Sequence, residues 1–223
     1  MNKKCYFFLF FITTLFFMIG CGPLRYNVVH LNPTPNPVYN KKGFLISLSS
    51  GYLEKSLPLN FEIQKFIDKE NDIDGGFQTF YSQHTEETFY SYNLFGFLRQ
   101  WLRLKNRQNP WGSVYGGLQI GYGLDERERA LYNNYIYTHL DIGLLVGLYR
   151  KNFTLVLGPR VGVGGSYPHN SIYIFFGPVI QSRLFLIKNL GLGFDICYVF
   201  GSDSKADIVV IPQLYKWFVL WRF

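Results

Sequence analysis

The sequence predicts an all-β fold in which eight antiparallel strands run up and down and close into a barrel that spans a membrane. Three observations predict this fold. Segments of alternating hydrophobicity recur along the chain, one face of these segments is bulky while the other is rich in glycine, and the chain ends on a strand with an aromatic face. A period of two indicates a β-strand, because successive side chains point to opposite faces of a sheet.

The eight predicted strands begin after residue 42. Their approximate limits are 43–53, 87–104, 112–124, 135–149, 153–164, 171–187, 190–200 and 207–223. The second segment is poorly phased, because both of its faces carry large apolar residues. Pro159 and Pro178 interrupt two other segments and cannot donate to a ladder. Both lie nearly equidistant from the same hairpin tip, so we expect them to face each other at a local bulge.

The two faces of the predicted strands differ in a way that favours lipid on the outside. In the seventh segment one face is Leu190, Leu192, Phe194, Ile196, Tyr198 and Phe200, and the other is Gly191, Gly193, Asp195, Cys197, Val199 and Gly201. A water-facing surface would carry Lys, Glu and Thr rather than glycine. A narrow lumen needs small residues and a few paired polar groups. The alternative is a soluble calyx that binds an apolar ligand inside.

Charged residues on the predicted inner face are expected to neutralise one another. If a three-residue turn joins strands six and seven, Arg183 lies directly opposite Asp195. If a two-residue turn precedes the fifth strand, Asp141 lies diagonal to Arg160. Buried charges generally require partners. The sequence therefore predicts an interior network of these four residues, in a lumen too narrow for an open channel.

The N-terminus has the layout of a secretory signal peptide. Two lysines precede an apolar run from Cys5 to Ile19, which is short for a membrane span. Residues 18–21, with the sequence MIGC, resemble a bacterial lipobox, which implies cleavage before Cys21 and acylation of that cysteine. We therefore predict a signal peptide over 1–20 and an acylated cysteine with an extended, proline-rich periplasmic linker over 21–42. An uncleaved anchor helix is the alternative.

The C-terminal strand carries aromatic residues at alternating positions and ends in phenylalanine. Tyr215, Trp217, Trp221 and Phe223 make it resemble the C-terminal assembly signal of outer-membrane β-barrel proteins. Residues 43–223 resemble small eight-stranded outer-membrane barrels by pattern. The resemblance implies an outer-membrane location, with outer-membrane lipid and the barrel assembly machinery as partners.

Connection lengths predict how the barrel is oriented. The links between the predicted strands alternate between short and long, as periplasmic turns and external loops do in outer-membrane barrels. Both chain termini are then expected in the periplasm. The longest link, 54–86, becomes an external loop that is available to a surface ligand.

Composition excludes some function classes. The chain has a formal charge of +7, which falls to +5 once Lys3 and Lys4 leave with the signal peptide. The basic residues form no cluster with interleaved aromatics, so no nucleic-acid partner is expected. With Cys5 removed and Cys21 acylated, Cys197 is left without a partner for a disulfide.

The sequence holds little that points to chemistry. His169 and Ser171 resemble the His-x-Ser arrangement of an outer-membrane lipid A deacylase family, but no acid follows at close spacing, and Ile172 comes next. The acidic stretch 70–76 resembles the start of a calcium loop, yet Tyr81 stands where the closing glutamate belongs. We predict no catalytic residues, no metal and no cofactor. His139 and Cys197 are expected as packed inner groups.

These observations predict a lipid-anchored small outer-membrane barrel with a structural or surface-interaction role and no open pore. Two alternatives remain: a lipid-modifying enzyme of the lipid A deacylase type in the same barrel, and a soluble periplasmic calyx. Fold alone does not separate them.

Overall fold

The chain forms a closed antiparallel β-barrel of ten strands, each paired with its sequence neighbours. The structure, a computed structural model, describes residues 34–40, 43–52, 56–84, 87–125, 134–167, 171–203 and 208–223. The strands are β1 (Phe44–Tyr52), β2 (Ser56–Phe66), β3 (Asn71–His84), β4 (Glu87–Leu102), β5 (Gly112–Asp125), β6 (Asn134–Tyr149), β7 (Phe153–Tyr167), β8 (Ser171–Phe185), β9 (Leu190–Asp203) and β10 (Ile208–Arg222). The described residues include no helix long and apolar enough to cross a membrane.

The all-β, up-and-down barrel is confirmed, but the predicted count of eight strands is wrong. The two additional strands, β2 and β3, lie in the stretch 54–86 that was predicted to be an external loop. Their inner faces carry amide and acidic side chains rather than apolar ones. In β3 the sequence DIDGG also looks like a turn, because aspartate and glycine are typical of turns. The alternation in β2 is nevertheless regular, with Leu59, Phe61 and Ile63 outward.

The barrel closes through β1 and β10, which pair from Leu45 opposite Arg222 to Tyr52 opposite Tyr215. An even number of strands places Phe44 and Phe223 at the same end, which we call the terminal end. The connections at this end are 67–70, 103–111, 150–152 and 186–189, and those at the opposite, distal end are 53–55, 85–86, 126–133, 168–170 and 204–207. The predicted alternation of short and long links is therefore absent, and loop length does not distinguish the two ends.

The outer face of the barrel is apolar. It exposes aliphatic and aromatic side chains from all ten strands, among them Leu48, Leu59, Ile73, Leu94, Leu118, Leu140, Leu157, Ile174, Leu192 and Trp217. Where the structure describes side chains, the one charged group on this face is Lys65, which lies one residue from the end of β2. Monomeric soluble proteins rarely expose apolar patches of this extent.

Aromatic rings inside the barrel lie over glycines of the neighbouring strand. Phe97 lies against Gly117, Tyr115 against Gly143, and Phe175 against Gly162. In each case a β-carbon on the glycine would overlap the ring. This packing explains the poorly phased second predicted segment, since β4 sends large residues to the lumen as well as to the outside. These glycines on the inner face therefore leave the space that large side chains of the neighbouring strand occupy.

Gly116 and Gly117 provide an internal test of this packing. Gly117→Ala is expected to destabilise the barrel by about 1–3 kcal/mol, because the added methyl group displaces Phe97 from a filled interior. Gly116→Ala is the matched control, since its β-carbon would point outward and meet backbone at an ordinary 3.7 Å. Unfolding temperature in detergent is the measurement. Equal shifts for the two variants would contradict the assignment of the faces.

Pro159 and Pro178 lie directly opposite each other in β7 and β8, and both side chains face outward. They face each other as predicted, but the register continues through them without the predicted bulge. The pairing is instead interrupted on their other sides, between β6 and β7 and between β8 and β9. Since proline lacks an N–H group, placing both at one site confines the loss of ladder hydrogen bonds.

Candidate functional site

Residues Thr34–Asn40, which we call the strap, lie inside the barrel at its terminal end. Thr34, Asn36 and Val38 are buried. The sequence predicted these residues as part of a periplasmic linker, and the structure instead places them in the lumen. The sequence TPNPV suits this position, because prolines carry no N–H group to satisfy and hold the preceding residue in an extended conformation. The strap therefore presents few backbone hydrogen-bond donors that need a partner inside the lumen.

Asn36 is the most highly connected residue of the strap. Its backbone N–H donates to Glu62 Oε1 at 2.9 Å and to Asp74 Oδ2 at 2.8 Å. Its carbonyl oxygen accepts from Arg99, and its side-chain oxygen accepts from Nε of Arg183 at 3.1 Å. One residue thus bridges β2, β3 and β4 on one side of the lumen to β8 on the other.

The residues flanking Asn36 are also held. The side-chain amide of Gln181 donates to Thr34 Oγ1 at 3.0 Å, and that of Gln64 donates to the carbonyl of Val38 at 3.0 Å. Tyr39 packs edge-on against Trp101, with ring centroids 5.1 Å apart. These contacts run from Thr34 to Tyr39 and hold the strap within the lumen at the terminal end.

Three carboxylates, those of Glu62, Asp72 and Asp74, line the wall beside the strap. Asp72 accepts hydrogen bonds from Trp101 Nε1 at 2.6 Å and Gln64 Nε2 at 3.0 Å. Arg99 lies 3.7 Å from Asp72 Oδ1 and 3.6 Å from Asp74 Oδ2. Both aspartates are fully buried in a strand, so the prediction that this stretch belongs to an external loop over 54–86 is wrong. The described residues contain no group of three or more His, Cys, Asp or Glu arranged to hold a metal.

Two ion pairs join the four charged residues that the sequence singled out on the inner face. Arg160 Nη2 lies 3.1 Å from Asp141 Oδ2. Arg183 binds Asp195 through both terminal nitrogens, one of them at 3.1 Å from Oδ2. Cys197 stands beside the first pair, with its sulfur 3.7 Å from Arg160 Nη1. All are buried.

The register predicted from the length of the turn is correct for the hairpin of Asp141 and Arg160 and wrong for the hairpin of Arg183 and Asp195. In β6 and β7, Gly143 lies opposite Arg160, which leaves Asp141 diagonal to it. In β8 and β9, Gln181 and not Arg183 lies opposite Asp195, because the connection is four residues long rather than three. The long arginine side chain still reaches the carboxylate diagonally.

Sequence reasoning missed much of the lumen. Glu62, Asp72, Asp74 and Arg99 were not proposed as inner residues, although the alternation of β2 places Glu62 opposite to the apolar face. Lys216 is buried on β10, directly opposite Asp195. Its place between alternating aromatic residues was the signal for an inward position.

The distal half of the lumen is filled by neutral polar and aromatic groups. The side-chain amide of Asn93 donates to Gln78 Oε1 at 2.9 Å and to the Tyr137 hydroxyl at 3.0 Å. His139 is buried beside Tyr137 and Phe175, at 5.3 and 6.0 Å between ring centroids. His139 and Cys197 are both packed within the barrel.

The aromatic residues of the predicted assembly signal lie on the last strand at the terminal end. Trp217 and Phe223 are exposed on the outer face, and Phe223 stacks on Phe44 with ring centroids 4.9 Å apart. Trp221 is half-buried on the same face. The side chain of Tyr215 lies outside the described residues.

Two other predicted sites also lie outside the described residues. Cys21, the predicted acylation site, and His169 are not among them, and Ser171 is described in its backbone alone. The acylation of Cys21 therefore stays a prediction, and so does the absence of a catalytic role for His169 and Ser171.

No protein-family model matches the chain, and no curated protein matches it. Solved structures with similarity include the outer membrane channel DcaP of Acinetobacter baumannii, at 8% identity and a TM-score of 0.34, covering 90% of this chain and 68% of that one. A bacterial polysaccharide outer membrane secretin has 10% identity and a TM-score of 0.30, covering 83% and 99%. Outer membrane phospholipase A from Escherichia coli has 9% identity and a TM-score of 0.29, covering 82% and 92%.

Proposed function

We propose that this protein is a lipid-anchored outer-membrane barrel with no open pore, which acts as a structural element or as a scaffold for surface interactions. The observation that carries the proposal is the combination of an apolar outer face with a charged lumen that the strap closes. An outer face of this kind is stable in lipid and a liability in water.

The same combination argues against a soluble calyx for an apolar ligand. Such a calyx needs apolar residues inside and polar residues outside. Here the interior holds Asp141 with Arg160 and Asp195 with Arg183, and the strap occupies its terminal half. The arrangement is inverted with respect to a calyx and favours a membrane barrel.

The predicted lipid anchor is compatible with the position of the strap. Thr34 follows Cys21 by 13 positions, and an extended chain over that interval spans up to about 45 Å. This reach is sufficient to connect the lumen to a membrane surface. An acyl chain on Cys21 and a strap inside the barrel would then hold the N-terminal region at two points.

Membrane insertion is tested by fractionation and gel migration of the full chain. We expect the protein to remain in the membrane pellet after carbonate extraction and to migrate differently before and after boiling, because a closed barrel in detergent stays folded until heated. A soluble periplasmic protein fused to the same residues 1–33 is the control for the anchor alone. Release of the full-length barrel chain by carbonate, together with a single band that boiling does not shift, would refute insertion.

A further inference from the structure

The terminal end of the barrel carries a ring of basic residues, which we call the basic collar. Its members are Lys65, Lys69, Arg103, Lys105, Arg107, Arg150, Lys151, Lys188 and Arg222. The exposed acidic side chains described at this end are Asp68 and Glu70, whereas Asp72 is buried in the lumen beside Arg99. Nine basic residues against two acidic ones give the terminal end a strong positive charge.

The distal end has the opposite balance. Its connections and adjoining strand ends contain the acids Glu54, Glu86, Glu87, Asp125, Glu126, Glu128, Asp203 and Asp207, and the bases Lys55, Arg127, Arg129 and Lys205. These four bases and eight acids carry a formal charge of −4, whereas the nine bases and two acids of the terminal end carry +7. Charge separated along the barrel axis in this way places a positive potential at one membrane surface.

The cations of the collar are available for an external partner. Those on the turns are mostly exposed, whereas the ion pairs between described residues lie in the lumen. Asp68 forms no ion pair with the described residues of the collar; its carboxylate accepts the backbone N–H groups of Glu70 and Asn71 at 2.6 and 2.8 Å. The side-chain amide of Asn71 also donates to it and lowers the pKa of Asp68.

The collar surrounds the barrel and borders its apolar face. All four turns at this end contribute to it, so its basic residues are distributed around the circumference of the barrel. Exposed Phe44, Trp111, Phe153 and Phe223 lie at the same end, where aromatic residues typically meet the membrane interface. A protein partner needs a patch on one side, whereas a ring at the interface matches the lipids that surround the barrel.

We propose that the basic collar binds the phosphate headgroups of anionic phospholipids in the leaflet at the terminal end. The proposal rests on the membrane insertion proposed above. Flexible lysine and arginine stems can lie along the apolar face while their charged ends reach the headgroups. A cation near an anionic membrane surface typically strengthens attachment about five-fold, and salt weakens this attraction.

The test measures which lipid surrounds the terminal end. The full chain is reconstituted in vesicles of phosphatidylcholine with a minor fraction of phosphatidylglycerol, and either lipid is supplied in a brominated form that quenches tryptophan fluorescence. Trp111, Trp217 and Trp221 report from the terminal end. We expect phosphatidylglycerol to be preferred by about three-fold or more at low salt. Quenching by the two lipids in proportion to their mole fractions in the vesicle would overturn the proposal.

Matched variants assign the preference to the collar. The first variant carries Lys69→Gln, Lys105→Gln, Arg107→Gln and Lys188→Gln. The second removes the same number of cations from the distal end through Lys55→Gln, Arg127→Gln, Arg129→Gln and Lys205→Gln. We expect the first variant to lose most of the preference and the second to keep it. A collar variant that retains the preference, or equal losses in both variants, would overturn the proposal.

Two further measurements distinguish a failure of membrane insertion from a failure of headgroup binding. Carbonate extraction and heat-dependent migration of the same reconstituted samples test insertion independently of lipid preference. Addition of inorganic phosphate, compared with sodium chloride at equal ionic strength, tests for a site for free phosphate. A preference that phosphate weakens more than sodium chloride does would support the headgroup phosphate as the ligand, and a preference that neither salt weakens would overturn the proposal.

Discussion

Asp141→Ala is expected to destabilise the barrel in detergent by about 3–5 kcal/mol, because it strands the charge of Arg160 in a buried position. The guanidinium lies over the ring of Phe175 and beside Cys197, and neither can replace a carboxylate. Removing one partner of a buried pair costs far more than the intact pair contributes, since the remaining charge has no water to solvate it.

The double variant Asp141→Ala, Arg160→Met distinguishes a stranded charge from lost packing. We expect it to be more stable than Asp141→Ala alone, because methionine fills part of the space and leaves no unpaired charge. Denaturant unfolding followed by tryptophan fluorescence is the measurement. Glu70→Ala, at an exposed turn, is the matched control and is expected to have little effect. Additive losses in the double variant would show that Asp141 and Arg160 do not depend on each other.

Asn36→Pro is expected to destabilise the protein by about 3 kcal/mol or more, and Asn36→Ala by clearly less. Proline removes the N–H group that both Glu62 and Asp74 accept from, and hydrogen bonds to charged groups are worth about 1.5–3 kcal/mol each. Alanine keeps this N–H and removes the side-chain contact to Arg183. Since residue 36 precedes Pro37, it is already extended, a conformation that proline tolerates.

Unfolding temperature and planar-bilayer recording together test the strap. The intact protein is expected to show no stable unitary current, because side chains and the strap fill the lumen. Replacing Thr34–Val38 by a glycine and serine sequence should lower the unfolding temperature and produce an ion leak, whereas the same replacement at 24–28 should do neither. If Asn36→Pro and Asn36→Ala had equal effects, the bridge between Glu62 and Asp74 would contribute nothing measurable.

The proposed absence of an open pore limits what the barrel can do. Charge pairs, aromatic rings over glycines and the strap occupy the described part of the interior and support this proposal. Any function then depends on the surfaces that the barrel presents, which are its outer face, its distal connections and the basic collar. The collar is the surface with the most distinctive charge, and its partner can be measured directly.

The sequence by itself determined the period of the strands and the separation of outer and inner faces. Leu192, Phe194 and Ile196 alternate with Gly193 and Asp195, and this pattern needs no knowledge of neighbouring strands. Where a hairpin is joined by a short turn, sequence also limits the register. The position of Asp141 diagonal to Arg160 depends on such a turn, because few residues leave few arrangements.

The tertiary structure decided the number of strands and the contents of the lumen. β2 and β3 turn polar groups such as Glu62 and Asp74 inward, and these groups become favourable in a strand only once a partner reaches them from elsewhere. That partner is the strap, and its Asn36 binds Arg183 across 147 residues of sequence. No local pattern encodes a contact at that separation, because it exists only after the barrel has closed around the chain.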